Sequence, residues 1–344
     1  DKISQTVTVQ DPSLLGKVKV KVIDAAGNAL IGIPVYFDLD NTSENIKYTD
    51  SNGCVTFIGE SGKYAVGSYE DGYLPIKKYI VIGNGATTDL VLQMIEEPIV
   101  TGNFEVNRMT LDEIIAAGID ISDPANQNVV KINFRIVYGT QPVTFDMITN
   151  GDKIYSGGTV IVDTDEGKRE LSAVNVTAKN PGASGSIDDI LGGNNGDYII
   201  AIMDIPVEAS YLKEFFDVKL HIINNAQSNF ELKNNSVKLN VPDGMSIINT
   251  NNSESSDYVE FDPLMGQQQK TIKWILRGDS AGEYNLEAEY NGTLSEFEVP
   301  VSAKFITDNP IKVYGTDAIK IIADINKNVM YGGFYFNIAL ENIS

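Results

Sequence analysis

The chain has 344 residues, 42% hydrophobic and 21% charged, which excludes a disordered polymer and favours two to four folded units over a single core. Its 47 acidic and 26 basic side chains leave a net charge of −21, so a polyphosphate backbone would meet a repulsive field, and nucleic acid is not expected as a partner. The single cysteine, Cys54, rules out an internal disulfide, and no apolar run approaches the roughly 20 residues of a membrane span.

Short apolar runs of period two, separated by Gly, Asn, Asp and Pro, recur from end to end, the pattern of antiparallel β-sandwiches. The first segment, 1–98, begins with Lys17-Val18-Lys19-Val20-Lys21-Val22, which places three valines on one face of a strand and three lysines on the other. Pro34 to Phe37, Val55 to Phe57, Gly62 to Val66, Lys77 to Ile82 and Thr87 to Gln93 read as further strands. Asn52-Gly53 suits a tight hairpin turn, and Cys54 just after it is expected in the core as a small hydrophobe.

These residues carry a resemblance. Asp24, Gly27, Leu30, Gly32, Pro34 and Val35, then Thr49 to Phe57, then Gly62 to Val66, resemble the carboxypeptidase regulatory-like domain, which is close to the B-repeats of Gram-positive adhesins. The resemblance covers about a quarter of the chain and implies a transthyretin-like sandwich serving as a spacer, a stalk or an accessory unit. Some B-repeats are locked by a Lys–Asn isopeptide bond. Here Ser68 stands where their late-strand Glu would be and the last strand has no Asn, so no such bond is expected in this segment.

The second segment, 99–196, opens with the one clear helix signal, near 110–118. Thr110-Leu111-Asp112-Glu113 spells a capping box, Gly118 offers a stop, and Leu111, Ile114 and Ile115 give an apolar side. Strands are expected at Val129 to Tyr138, Val143 to Ile148, Thr159 to Val162 and Leu171 to Ala178, followed by a Gly- and Asn-rich loop or seam from Asn180 to Gly196. The third segment, 197–308, alternates again. A strand ending in Asn224-Asn225, one ending in Val241-Pro242-Asp243-Gly244, a strand bearing Trp274, and Gly282-Glu283-Tyr284 resemble bacterial immunoglobulin-like repeats of secreted proteins.

Ile202-Met203-Asp204-Ile205 returns as Ile322-Ala323-Asp324-Ile325, with Tyr211 and Tyr331 at the same distance. After a two-residue shift, Val218, Leu220, Ile222, Asn224 and Ala226 match Phe336, Ile338, Leu340, Asn342 and Ser344. The segment 309–344 is therefore read as the start of a further repeat or as closing strands, with flanking modules of a longer chain as its expected neighbours.

Parts for catalysis are scarce. The one histidine, His221, lies in an alternating strand without a Gly-x-Ser-x-Gly elbow and is expected on an exposed sheet face. Asp163 and Asp165 space two carboxylates before Gly167, as oxygen-ligand loops do; calcium is one reading and a polar hairpin turn the plainer one. Arg277-Gly278-Asp279 is the tripeptide some integrins read, though it falls where a strand turns. Trp274 fits a sandwich core better than a sugar-stacking platform.

The expected fold class is mainly β: tandem antiparallel β-sandwich modules, transthyretin-like and immunoglobulin-like, with one short helix. The expected role is a non-enzymatic stalk or adhesive scaffold, extracellular, secreted or cell-surface, built of sandwiches joined end to end. The alternative is an accessory, glycan-binding region of a secreted polysaccharide- or protein-degrading enzyme. The partner would be a surface protein or a glycan.

Overall fold

The computed structural model describes residues 15–342 except 39–44, 71, 97–99, 128, 152, 165–166, 179–198, 208–209, 228, 249–253, 255, 296–297, 316–318 and 326–335. Seven strands come first: β1 (Leu15–Ile23), β2 (Pro34–Phe37), β3 (Ile46–Tyr48), β4 (Cys54–Glu60), β5 (Gly62–Ser68), β6 (Ile76–Ile82) and β7 (Thr87–Gln93). They form two sheets, β4–β1–β7 and β3–β2–β5–β6. The alternation of β1 is realised as read: Val18, Val20 and Val22 are buried, and Lys17, Lys19 and Lys21 are exposed. Between the sheets those valines meet Val35, Phe57 and Leu92. One pairing in this sandwich departs from the antiparallel rule, since β1 and β7 run parallel.

Two local expectations are corrected here. Asn52-Gly53 does make a turn, with the Asp50 carboxylate accepting from the Asn52 and Cys54 amides at 2.8 and 2.9 Å. Yet the strands on either side, β3 and β4, belong to opposite sheets, so the turn is a crossing rather than a hairpin of paired strands. That turn also fixes the phase of β4: Val55 and Phe57 point inward, and Cys54, one position out of step, is only half-buried. Ser68 is buried and donates to the Pro34 carbonyl at 2.8 Å.

The next strands are β8 (Val100–Arg108), β9 (Val130–Tyr138), β10 (Gln141–Thr149) and β11 (Ile154–Gly157), forming a four-stranded antiparallel sheet in the order β11–β10–β9–β8. Between β8 and β9 lies α1 (Leu111–Ala116). Its capping box is present: the Thr110 hydroxyl accepts from the Glu113 amide, and the Glu113 carboxylate accepts from the Thr110 amide at 2.7 Å. Gly118, at φ +74°, takes the left-handed conformation that ends the helix. The expected apolar side shrinks to one residue. Ile114 is buried beside Ile119 and Val129, while Leu111 and Ile115 are exposed, because a helix of under two turns brings only one side chain onto that pocket.

The remaining strands are β12 (Thr159–Thr164), β13 (Gly167–Asn175), β14 (Thr177–Ala178), β15 (Ile199–Pro206), β16 (Ser210–Tyr211), β17 (Phe215–Asn224), β18 (Leu232–Asn240), β19 (Met245–Ile247), β20 (Tyr258–Phe261), β21 (Gln268–Gly278), β22 (Gly282–Tyr284), β23 (Glu287–Leu294), β24 (Val299–Ile306), β25 (Ile311–Tyr314), β26 (Ile319–Ile325) and β27 (Phe336–Asn342). A six-stranded sheet, β12–β13–β15–β17–β21–β19, faces a five-stranded one, β14–β24–β23–β18–β20. The core between them holds Trp274, Tyr290, Leu220, Ile222 and Leu239. Trp274 is fully buried, as expected, and donates its indole N–H to the Ser256 carbonyl at 3.0 Å.

The six-stranded sheet is a shared wall, for a reason visible in its alternation. On β15, Ile199, Ala201, Met203 and Ile205 face the five-stranded sheet, whereas Ile200 and Ile202 pack with Phe104, Ile132 and Phe134 of the β8–β11 sheet. The seam expected between 99–196 and 197–308 therefore does not separate two sheets, because β13 pairs with β15 from Arg169↔Pro206 to Asn175↔Ile200. Nor are the sandwiches simply end to end. Tyr36, Ala65 and Tyr69 of the N-terminal sandwich pack on Phe215, Ile248 and Ile275, and Lys77 pairs with Glu214 at 3.0 Å.

The hairpin β26–β27 repeats a register. β15 and β17 pair Met203 with Leu220 and Ala201 with Ile222; β26 and β27 pair Ala323 with Ile338 and Ile321 with Leu340. Those are the partners that the alignment of Asp204 with Asp324 and Val218 with Phe336 demands.

Candidate functional site

The outer face of the six-stranded sheet carries the most concentrated chemistry in the described chain. β13 contributes Arg169, β15 Asp204, and β17 Asp217, Lys219 and His221; all five are buried. Their positions are set by the period-two rule. On β17 the even positions 216 to 222 fill the sandwich core, so 217, 219 and 221 point to the opposite face. Asp204 lies directly across from Lys219 in the ladder.

The geometry is that of a closed ionic network. Arg169 donates from Nε to Asp204 Oδ1 at 2.6 Å and from Nη1 to Asp217 Oδ1 at 2.8 Å. Its Nη2 reaches the backbone carbonyls of Asp204 and Asp217 at 3.4 and 3.3 Å. Lys219 Nζ stands 3.1 Å from Asp217 Oδ2 and 3.8 Å from Asp204 Oδ2. From the facing sheet, the Tyr138 hydroxyl donates to Asp204 Oδ2 at 3.3 Å. Two cations face two anions, so the group is neutral when His221 is neutral.

The electrostatics follow from burial and these partners. Burial works against the Arg169 charge, but Asp204 and Asp217 outweigh it and hold the guanidinium pKa well above its ordinary value. Burial alone would raise Asp217; Arg169 and Lys219 override it and keep that carboxyl well below the usual range. His221 goes the other way. Burial, helped by Lys219 and Arg169 and opposed by Asp204, lowers its pKa to about 4.

His221 is thus a correction: the face it occupies is covered, and it is 4% exposed. Its Nδ1 shares a hydrogen bond with the Thr271 hydroxyl at 2.9 Å, and its Nε2 has no partner among the described residues. A hydroxyl beside an imidazole is the outline of a nucleophile and base. But a base with a pKa near 4 is a weak proton acceptor at neutral pH.

The other sequence candidates lie elsewhere. Asp163 is exposed on β12 and faces Lys168 across the β12–β13 hairpin, while Asp165 lies outside the described residues. Among the described residues no group of three or more His, Cys, Asp or Glu side chains is placed to hold a metal ion. Arg277 folds back on Asp279, Nε to Oδ1 at 2.6 Å, so that tripeptide is tied to itself. The loop expected from Asn180 to Gly196 falls outside the described residues.

Sequence reasoning missed the ionic network. A signal was present: Asp204 interrupts the apolar run Ile199 to Ile205, and Asp217, Lys219 and His221 alternate with Val218, Leu220 and Ile222. Alternating charge reads as a solvent face unless a second layer covers it.

No family model matches the chain, and no curated protein matches it. Among solved structures, 69 chains match. BcpA, the major pilin subunit of Bacillus cereus, is 12% identical over 95% of this chain and 83% of its own, with a TM-score of 0.22. A DUF3823 family protein from Bacteroides ovatus is 10% identical over 87% and 98%, with a TM-score of 0.19. The major pilin SpaD from Corynebacterium diphtheriae is 12% identical over 95% and 72%, with a TM-score of 0.20.

Proposed function

We propose that this chain is a non-catalytic scaffold region of an extracellular or cell-surface protein, whose sandwiches are held in a fixed mutual arrangement. The observation that carries this reading is the buried network of Arg169, Asp204, Asp217 and Lys219, where the β8–β11 sheet meets the shared six-stranded wall. Isolated modules would have no use for buried ions, whose desolvation costs several kcal/mol each before pairing. A junction that must keep one geometry under load does, because removing any partner strands a charge. The matched registers of β15–β17 and β26–β27 support reading 319–342 as a second copy of the hairpin that opens the third sandwich. Asp163 and Asp165 are read first as a polar hairpin turn and only second as a calcium site; a melting temperature that ignores both added calcium and a chelator removes the second reading.

Single-molecule extension of the full chain tests the scaffold. The region from β8 to β25 is expected to unfold as one mechanical unit, and Arg169→Met is expected to lower its unfolding force. Separate rupture of the β8–β11 sheet at low force in the unaltered chain would sink the reading. Protease treatment of intact producing cells tests the location, since a surface protein yields peptides of this chain without lysis.

A further inference from the structure

The outer face of the β4–β1–β7 sheet carries a column of lysines on its central strand. Its central strand presents Lys17, Lys19 and Lys21 to solvent, rungs about 7 Å apart at the rise of a strand. Two more lysines close its edges. Lys47 donates to the Thr56 carbonyl of β4 at 2.9 Å, and Lys78 to the Val91 carbonyl of β7 at 2.8 Å. Among the described residues none of these five reaches a carboxylate within ion-pairing distance, in a chain with 47 acids. Elsewhere Lys131, Lys233, Lys304 and Lys312 each sit on an Asp or Glu. One carboxylate, Asp89, lies within the face beside Lys19; Glu60 and Asp50 stand at its margins. Ile58 beside Lys17 and Val91 beside Lys21 are 58% and 44% exposed, so apolar surface flanks the ladder at both ends.

We propose that this face binds an extended anionic polysaccharide lying along β1, its acidic groups on the lysine ladder and its sugar C–H surfaces on Ile58 and Val91. An open sheet face with exposed residues along a whole strand suits a polymer better than a small molecule. Duplex nucleic acid packs one charge per about 1.7 Å, far denser than the lysine rungs. A polysaccharide with one acidic group per sugar spaces its charges further apart, nearer to the roughly 7 Å between lysine rungs. A second copy of this chain fits less well. Its Glu287, Glu283 and Glu105 are already engaged by Lys304, Lys312 and Arg135. This inference goes beyond the scaffold reading and stands or falls apart from it.

The test uses the full chain, with polygalacturonate and alginate as anionic probes and dextran as the neutral one, by calorimetry or biolayer interferometry over a salt series. Binding of the anionic probes and not of dextran is expected, weakening as salt rises. Lys17→Gln, Lys19→Gln and Lys21→Gln together should weaken it roughly tenfold or more, while Lys238→Gln with Lys304→Gln on the five-stranded sheet should leave it unchanged. Should the triple variant fold poorly, Lys19→Gln alone is expected to weaken binding about two- to threefold. No binding of either anionic probe at low salt, or equal weakening by the control pair, overturns the proposal. So does salt-sensitive self-association that the triple variant abolishes when no polysaccharide binds.

Discussion

At the scale of single residues, Arg169 and His221 show how a covered face changes what a side chain does. Arg169 bridges two buried carboxylates, so Arg169→Met leaves Asp204 and Asp217 with Lys219 alone and strands negative charge in the interior. A loss of about 3–5 kcal/mol in urea unfolding is expected. The exposed pair Lys131–Asp146, at 2.7 Å, should lose under about 1 kcal/mol on Lys131→Met. For His221, the unfolded chain takes up a proton near pH 6.5 and the folded chain only near 4. The unfolded state therefore binds more protons in that window, and stability falls as pH drops from about 6.5 to 4, by at most about 3 kcal/mol from this group. His221→Leu should flatten that part of the stability-against-pH curve. The acid loss contributed by Asp217, whose folded pKa is depressed, should remain and appear at lower pH.

At the scale of elements, the local rules held where a segment answers only to itself. Thr110, Glu113 and Gly118 specified α1 because caps and a left-handed stop are contacts within a few residues. Thr110→Ala is expected to cost about 1 kcal/mol, read as faster amide exchange over 111–116, with the rest of the chain unchanged. The alternation of β1 was equally legible, because valines and lysines leave no doubt about which side meets water. The phase of β4 was not. Asp50 and Gly53 set it through turn hydrogen bonds, and those placed Cys54 outside the core that its residue type prefers.

At the scale of the whole molecule, the wall formed by β12–β13–β15–β17–β21–β19 joins regions distant in sequence. One of its faces closes a sandwich with the five-stranded sheet, and the other receives both the β8–β11 sheet and the N-terminal sandwich. Phe215 is central to the last contact, with its ring edge-on to Tyr69 at 4.8 Å between centroids. Scanning calorimetry of the unaltered chain is expected to show the N-terminal sandwich melting together with the wall. Phe215→Ala should split off an earlier transition belonging to residues 15–94. Two transitions already present in the unaltered chain would refute that coupling.

The sequence by itself determined many of the strands, the side on which an alternating strand carries its charges, the helix and its caps, and the shared pattern of 199–224 and 319–342. These depend on periodicity and short-range hydrogen bonding, which neighbours along the chain settle. Tertiary structure alone decided which charged faces meet water. Lys17, Lys19 and Lys21 on β1 and Asp217, Lys219 and His221 on β17 alternate alike, yet the first set is exposed and the second buried. The difference is a second sheet laid over β17, and a contact between residues 66 positions apart, Tyr138 with Asp204, leaves no trace in either strand's own pattern.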